Sequence, residues 1–145
     1  MLNCPAYNKI CVSGDTNELL HIREFIKEKA DEFGFTESQS FKICLAVDEA
    51  CSNLIKYAFN FDKSKELCVA VESNGNKFEI NICDDAFSFN MLEHKSPDLI
   101  EYLKTYKKGG LGIHIIKSIM DEIFYSPAND SQKFNILTLI KYKRN

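Results

Sequence analysis

The sequence lacks any excess of basic charge: 18 Lys and Arg stand against 21 Asp and Glu in 145 residues, a formal net charge of −3. No domain-wide positive field exists to gather nucleic acid or anionic lipid, so direct nucleic-acid partners and a membrane surface drop out of the expected functions. It also lacks a run of about 18 apolar residues, the length a transmembrane helix needs. The opening residues MLNCPAYNKI lack the apolar core of a secretory signal, and a cytoplasmic location is expected. Among the six cysteines, at 4, 11, 44, 51, 68 and 83, there is no Cys-x-x-Cys pair, and no histidine stands near them at zinc-finger spacing. A structural zinc site is therefore not expected. Cys44, Cys51, Cys68 and Cys83 sit in apolar periodic stretches and are expected to be small buried thiols, kept reduced. Internal repeats and low-complexity segments are missing too.

What is present is an ordinary globular composition, 45% apolar or aromatic and 27% charged. That predicts one domain over residues 1–145. Lys9 to Ser13 reads as a short strand ended by Gly14-Asp15. Asp15 and Glu18 have capping-box spacing, opening a helix with Leu19, Ile22, Phe25, Ile26 and Phe33 on one face and Gly34 as its stop. Thr36 and Gln39 repeat the box before a longer helix, whose stripe runs Phe41, Cys44, Leu45, Asp48, Cys51, Leu54, Ile55 and Ala58. From Glu66 the period changes to two, with Leu67, Val69 and Val71, then Phe78, Ile80 and Ile82. Asn74-Gly75 between them suits a type I′ hairpin turn.

After Cys83 the pattern fails for about 26 residues, apart from a short helix expected around Asp98 to Lys104; loops of this length tend to be lids or binding loops. The segment from Phe87 to Lys108 is expected to be mobile by itself and ordered by a bound ligand. A helix from Leu111 to Phe124, a Ser126-Pro127 turn and a final strand from Lys133 to Tyr142 complete the chain, with Phe134, Ile136 and Ile140 on one strand face. Few strands are separated by single helices, so the order predicts α+β layering, helices on one face of a mixed, mostly antiparallel sheet.

Three constellations can carry chemistry. On the second helix, Glu49 and Asn53 are four apart and share a face. The pair suits a magnesium nucleotide, with Asn53 giving the ion a neutral oxygen and Glu49 accepting a proton; alone, E-x-x-x-N is weak and more often marks the solvated side of an amphipathic helix. Lys108-Gly109-Gly110-Leu111-Gly112 directly precedes the third helix, where glycines admit a phosphate chain to free N–H groups; a flexible loop would read the same way. Asp84-Asp85, at the end of a buried strand, can accept a hydrogen bond from a base amine.

In this order the three resemble a known family. LAVDEACSNLIKYAF looks like the N box, ICDDAFSF like the first glycine box and GGLGIHIIKSIMDEI like the second glycine box of the superfamily of gyrase, histidine kinases and mismatch-repair ATPases. Asp121-Glu122 and the short length make the chain similar to bacterial anti-sigma factor serine kinases of the RsbW and SpoIIAB type, over about Asp15 to Tyr142. The resemblance implies a Bergerat-type two-layer sandwich, ATP with Mg²⁺, and a partner switch. In that switch the kinase holds a sigma factor or phosphorylates a serine on an anti-anti-sigma (STAS-domain) protein; a catalytically weak nucleotide-binding module is the alternative. It implies Glu49 as catalytic base, Asn53 as magnesium ligand, Asp84 as adenine-binding acid, Gly110 and Gly112 as phosphate-loop glycines and Lys108 as a basic phosphate contact. Ala86, Gly109 and Leu111 complete the nucleotide-binding set. Ala86 and Ser88 replace glycines of the first box, and Tyr57 stands where an N-box histidine is frequent. A homodimer is expected, through the first strand and first helix. His21, His94 and His114 read as ordinary helix and loop residues, and Lys141, Lys143 and Arg144 as a solvated basic tail.

Overall fold

The computed structural model describes residues 8–85 and 111–144. The short helix expected at Asp98 to Lys104, the segment from Phe87 to Lys108, and the site candidates Ala86, Lys108, Gly109 and Gly110 lie outside the described residues. So does Ser88.

Five strands, β1 (Lys9–Ser13), β2 (Glu66–Asn74), β3 (Lys77–Asp84), β4 (Glu122–Ser126) and β5 (Asn135–Tyr142), form one sheet in the order β1-β2-β3-β5-β4. Every pairing among them is antiparallel, so the expected admixture of parallel strands is not found in the described residues. Helices α1 (Leu19–Phe33), α2 (Glu37–Asn53) and α3 (Leu111–Ile119) complete an α+β fold. The main core joins Ile22, Ile26, Ile43, Val47 and Ile116 of the helices to Leu67, Val69, Ile80, Ile82, Leu137 and Leu139, alternate residues of the central strands. A sheet residue's neighbours point the opposite way, and Cys11, Cys68, Cys83, Phe134 and Ile136 form a small second cluster.

Local chemistry explains the ends of the elements. Asp15 accepts a hydrogen bond from the Asn17 N–H at 2.9 Å and starts a 3₁₀ turn, Thr16–Glu18, ahead of α1, so its partner is Asn17 and not the reciprocal Glu18 of a capping box. Gly34 closes α1 at φ 105°, while Phe35 N–H reaches back to the Ala30 carbonyl. The Thr36–Gln39 box is complete: Gln39 N–H donates to Thr36 Oγ1 at 3.1 Å and Thr36 N–H to Gln39 Oε1 at 2.8 Å. Phe33, Phe35 and Phe78 meet with ring centroids 5.1 to 5.4 Å apart, tying the end of α1 to β3.

Other expectations are corrected. The stripe drawn through Phe41, Leu45 and Asp48 faces outward: Phe41 is 70% exposed, and Asp48 Oδ1 accepts from Arg23 Nε at 2.9 Å. The buried residues are Ile43, Ala46, Val47, Ala50 and Cys51. Residues 43–47 are all apolar or small, so period alone admits two faces, and packing of α2 against both α1 and α3 selects one. The hairpin turn is Gly75-Asn76, one residue later than expected, because Asn74 still pairs with Lys77. Only Gly75 has positive φ, 63°, the pattern of a type II′ turn.

The third helix stops at Ile119 and Glu122–Ser126 is strand β4, not helix. Asp121 N–H donates to the Ile140 carbonyl, outside any helical ladder, and Ile-Phe-Tyr fits a strand beside β5. The basic tail is not simply solvated: Lys141 Nζ donates to the Ile119 carbonyl at 2.9 Å and Lys143 Nζ to that of Phe33 at 3.1 Å, each at a helix C-terminus. Arg144 forks onto Asp121 at 3.0 and 3.3 Å. Cys68, expected as a thiol, is disulfide-bonded to Cys11. Directly opposed positions in the β1–β2 register bring their Cα atoms to 4.0 Å, a proximity that periodicity within either strand does not report. No helix among the described residues is long and apolar enough to cross a membrane.

Candidate functional site

The site is built where α2 meets the start of α3. Glu49 and Asn53 lie one turn apart on α2, Glu49 half-buried and Asn53 only 5% exposed. Gly112, in the first turn of α3, stands directly against both. A β-carbon at this glycine would lie 2.9 Å from Glu49 Oε2 and 3.0 Å from Asn53 Nδ2. Two motifs some 60 residues apart in sequence thus share one place, and only a residue without a side chain lets them meet with these two side chains as they stand. Immediately after Asn53 the helix widens into a π-turn, Leu54–Ala58, where Phe59 N–H bonds the Leu54 carbonyl at 2.9 Å. Such widened turns recur at functional sites. Tyr57 is on this turn and 44% exposed.

Asp84 ends β3 and is only 5% exposed. It has the same strand parity as Ile80 and Ile82, which face the helix layer with α2 and α3. Its Oδ1 accepts a hydrogen bond from Asn135 Nδ2 at 3.1 Å, and Asn135 Oδ1 in turn accepts from the Ala128 N–H at 2.8 Å. Asn135 is 1% exposed, and the sequence reading missed it. The signal was available: Asn135 is a polar residue in phase with the core-facing Leu137 and Leu139, a position that needs a buried partner.

The structure therefore brings Glu49, Asn53 and Gly112 together and seats Asp84 in a hydrogen-bonded frame. Leu111 opens α3, and Asp85 is exposed at the strand end. His21 and His114 are exposed, His21 lying 3.6 Å from Glu18. Cys51, between Glu49 and Asn53 in sequence, is buried; burial first, then the Asp48 charge, pushes its thiol far above the ordinary range, so it supplies no thiolate nucleophile here. Cys44 is likewise pushed up, chiefly by burial. Among the described residues the one cluster of metal-type donors is Cys11, Glu66 and Cys68. Its sulfurs are joined to each other, away from this site.

The α+β fold thus carries an acid–amide pair on one helix, a glycine at the start of the next and a buried acid at a strand end. The model of the histidine kinase-like ATPase domain matches residues 12–141, and the chain belongs to that family. Among curated relatives, the serine-protein kinase RsbW of Bacillus subtilis (strain 168) is 28% identical over 128 residues, 85% of this chain and 79% of that protein. RsbW of Bacillus velezensis is 27% identical over 107 residues, covering 70% of this chain and 66% of the relative. RsbW of Listeria monocytogenes is 29% identical over 98 residues, 65% of this chain and 62% of its own length.

Proposed function

We propose that the chain is an ATP-dependent serine/threonine protein kinase and anti-sigma factor, phosphorylating a serine of an anti-anti-sigma (STAS-domain) protein in a cytoplasmic partner switch and otherwise holding a sigma factor. The observation that carries this reading is the close approach of Gly112 to Glu49 and Asn53. It sets the start of α3, where unpaired N–H groups favour phosphate, against a carboxylate and a carboxamide. The names of the relatives point the same way.

The residues fit magnesium ATP. A carboxylate and a carboxamide give the hard oxygen donors that Mg²⁺ takes, and the missing side chain at Gly112 lets backbone come close to both. Asn53 would hold the ion, which would neutralise charge developing on the phosphates. Glu49 takes the proton of the attacking serine hydroxyl. Asp84, held at Oδ1 by Asn135, accepts the base amine. Gly112 admits the phosphate chain beside Asn53; by resemblance, Gly109, Gly110, Leu111 and Lys108 are assigned to the phosphates and Ala86 to the base. Transfer then rests mainly on positioning and electrostatics. The active species is a homodimer.

The test is incubation of the purified chain with γ-labelled ATP, Mg²⁺ and the STAS-domain protein of the same organism. Label on a serine of the partner is expected. ATP binding without transfer to any serine of that partner would replace the kinase reading with a nucleotide-dependent binding module.

A further inference from the structure

Three cysteines form one row across three neighbouring strands. Cys68 on β2 is the register partner of Cys11 on β1 and, on its other side, of Cys83 on β3. Opposed residues in adjacent strands point to the same sheet face, and Cys11, Cys68 and Cys83 share the cluster with Phe134 and Ile136, apart from the main core. Cys11 and Cys68 are joined, while Cys83 keeps its thiol. Opposed residues hold their Cβ atoms about 4.5–5.5 Å apart, and a disulfide spans about 3.5–4.5 Å. Breathing of the sheet by roughly an ångström therefore brings Cys83 within bonding reach of Cys68.

We infer that this row is a thiol–disulfide relay with Cys68 as its shared centre. The Cys83 thiolate attacks Cys68 Sγ; the Cys68–Cys83 bond forms as the Cys11–Cys68 bond breaks, and the electron pair leaves on Cys11 Sγ. The proton lost by Cys83 ends on Cys11, so the step is an exchange with no net oxidation and no outside reagent. Its geometry is set by the sheet: Cys83 and Cys11 flank Cys68 from opposite sides, so the attacking and leaving sulfurs lie on either side of the central one. Both Cys68 and Cys83 are buried, which makes the exchange slow, because burial disfavours the thiolate. The exchange moves the covalent tie inward, from the edge strand β1 to the strand ending in Asp84, and leaves β1 held by its hydrogen bonds to β2 and the packing of Ile10 and Val12, with no covalent tie. The relay stands on the sheet register and not on the proposed kinase activity.

Each of the three cysteines falls in its own tryptic peptide, residues 10–23, 66–77 and 78–95, so each linkage has its own mass. The full-length chain is incubated in oxidised glutathione, which takes up the hydrogens of two thiols as a disulfide forms, then acid-quenched, alkylated under denaturing conditions and mapped. The wild-type chain is expected to give both Cys11–Cys68 and Cys68–Cys83 peptides. Cys11→Ser is expected to convert Cys68 wholly to the Cys68–Cys83 linkage, with faster amide exchange over Lys9 to Ser13. A wild-type map without Cys68–Cys83 overturns the relay. So does a folded Cys11→Ser chain whose Cys68 stays a thiol, is capped by glutathione or links to any other cysteine. The wild-type map decides by itself if that variant does not fold.

Discussion

Asn135 and Asp84 are register partners on adjacent antiparallel strands, and the Asn135 amide donates to Asp84 Oδ1 at 3.1 Å with both side chains almost wholly buried. The same amide accepts from the Ala128 N–H, so one side chain serves the acid and the loop before β5. Asn135→Ala removes both bonds. It is expected to lower unfolding free energy by about 1–3 kcal/mol, the cost of stranding a buried polar partner, and, on the proposed role of Asp84 in base recognition, to weaken ATP more than it weakens inorganic triphosphate. Denaturant unfolding and nucleotide titration check this. Equal weakening of both ligands would remove Asp84 from base recognition.

Gly112→Ala tests the close approach. Alanine in a helix is favoured over glycine by up to about 1 kcal/mol, while the new Cβ would meet Glu49 Oε2 at 2.9 Å and Asn53 Nδ2 at 3.0 Å. The Glu49 carboxylate is the far end of a flexible side chain and can swing aside; the buried Asn53 amide has less room. Stability is expected to stay within about 1 kcal/mol of wild type while phosphotransfer falls at least about tenfold, as reacting groups lose their alignment. Thermal unfolding beside a kinase assay separates the two effects, and unchanged transfer would count against a shared site.

Glu49→Ala and Asn53→Ala should part company. On the proposed roles, Glu49→Ala removes the general base and is expected to lose roughly 10²- to 10⁴-fold in phosphotransfer with little change in ATP affinity. Asn53→Ala should lose the magnesium-dependent part of affinity as well as rate. Titrations with and without Mg²⁺ read the split. A Glu49→Ala chain that phosphorylates its partner at the wild-type rate would make the helix pair structural.

Asp121 predicts an acid limit to stability. Burial pushes its carboxyl up, but the Tyr142 N–H at 2.8 Å, the Arg144 fork and the Lys141 charge together hold it below its ordinary value of 3.8. A carboxyl that ionises more readily folded than unfolded adds stability above its unfolded pKa and loses it as pH falls through the folded one. Wild type is therefore expected to lose stability below about pH 4, and Asp121→Asn to lose that share of the pH dependence; parallel melting curves against pH for the two chains would refute the assignment.

Much of this was readable from spacing. The complete Thr36–Gln39 box, Gly34 as a helix stop and the closing of the β2–β3 hairpin rest on contacts within a few residues, where sequence distance and spatial distance agree, and Lys9–Ser13 shows its strand in its own β-favouring residues. The sequence alone also determined the family, because three short motifs in fixed order carry it. Tertiary structure decided what depends on neighbours distant in the chain. Packing between α1 and α3 chose which apolar face of α2 is buried and turned Phe41 outward. Pairing with β5 made Glu122–Ser126 a strand, although its residues continue a helix-like apolar run. Opposed register joined Cys11 to Cys68 over 57 residues, and a lone polar residue in a strand, Asn135, acquired its meaning only when β5 laid it beside Asp84. Each of these depends on free energy gained between elements, which a period within one element does not encode.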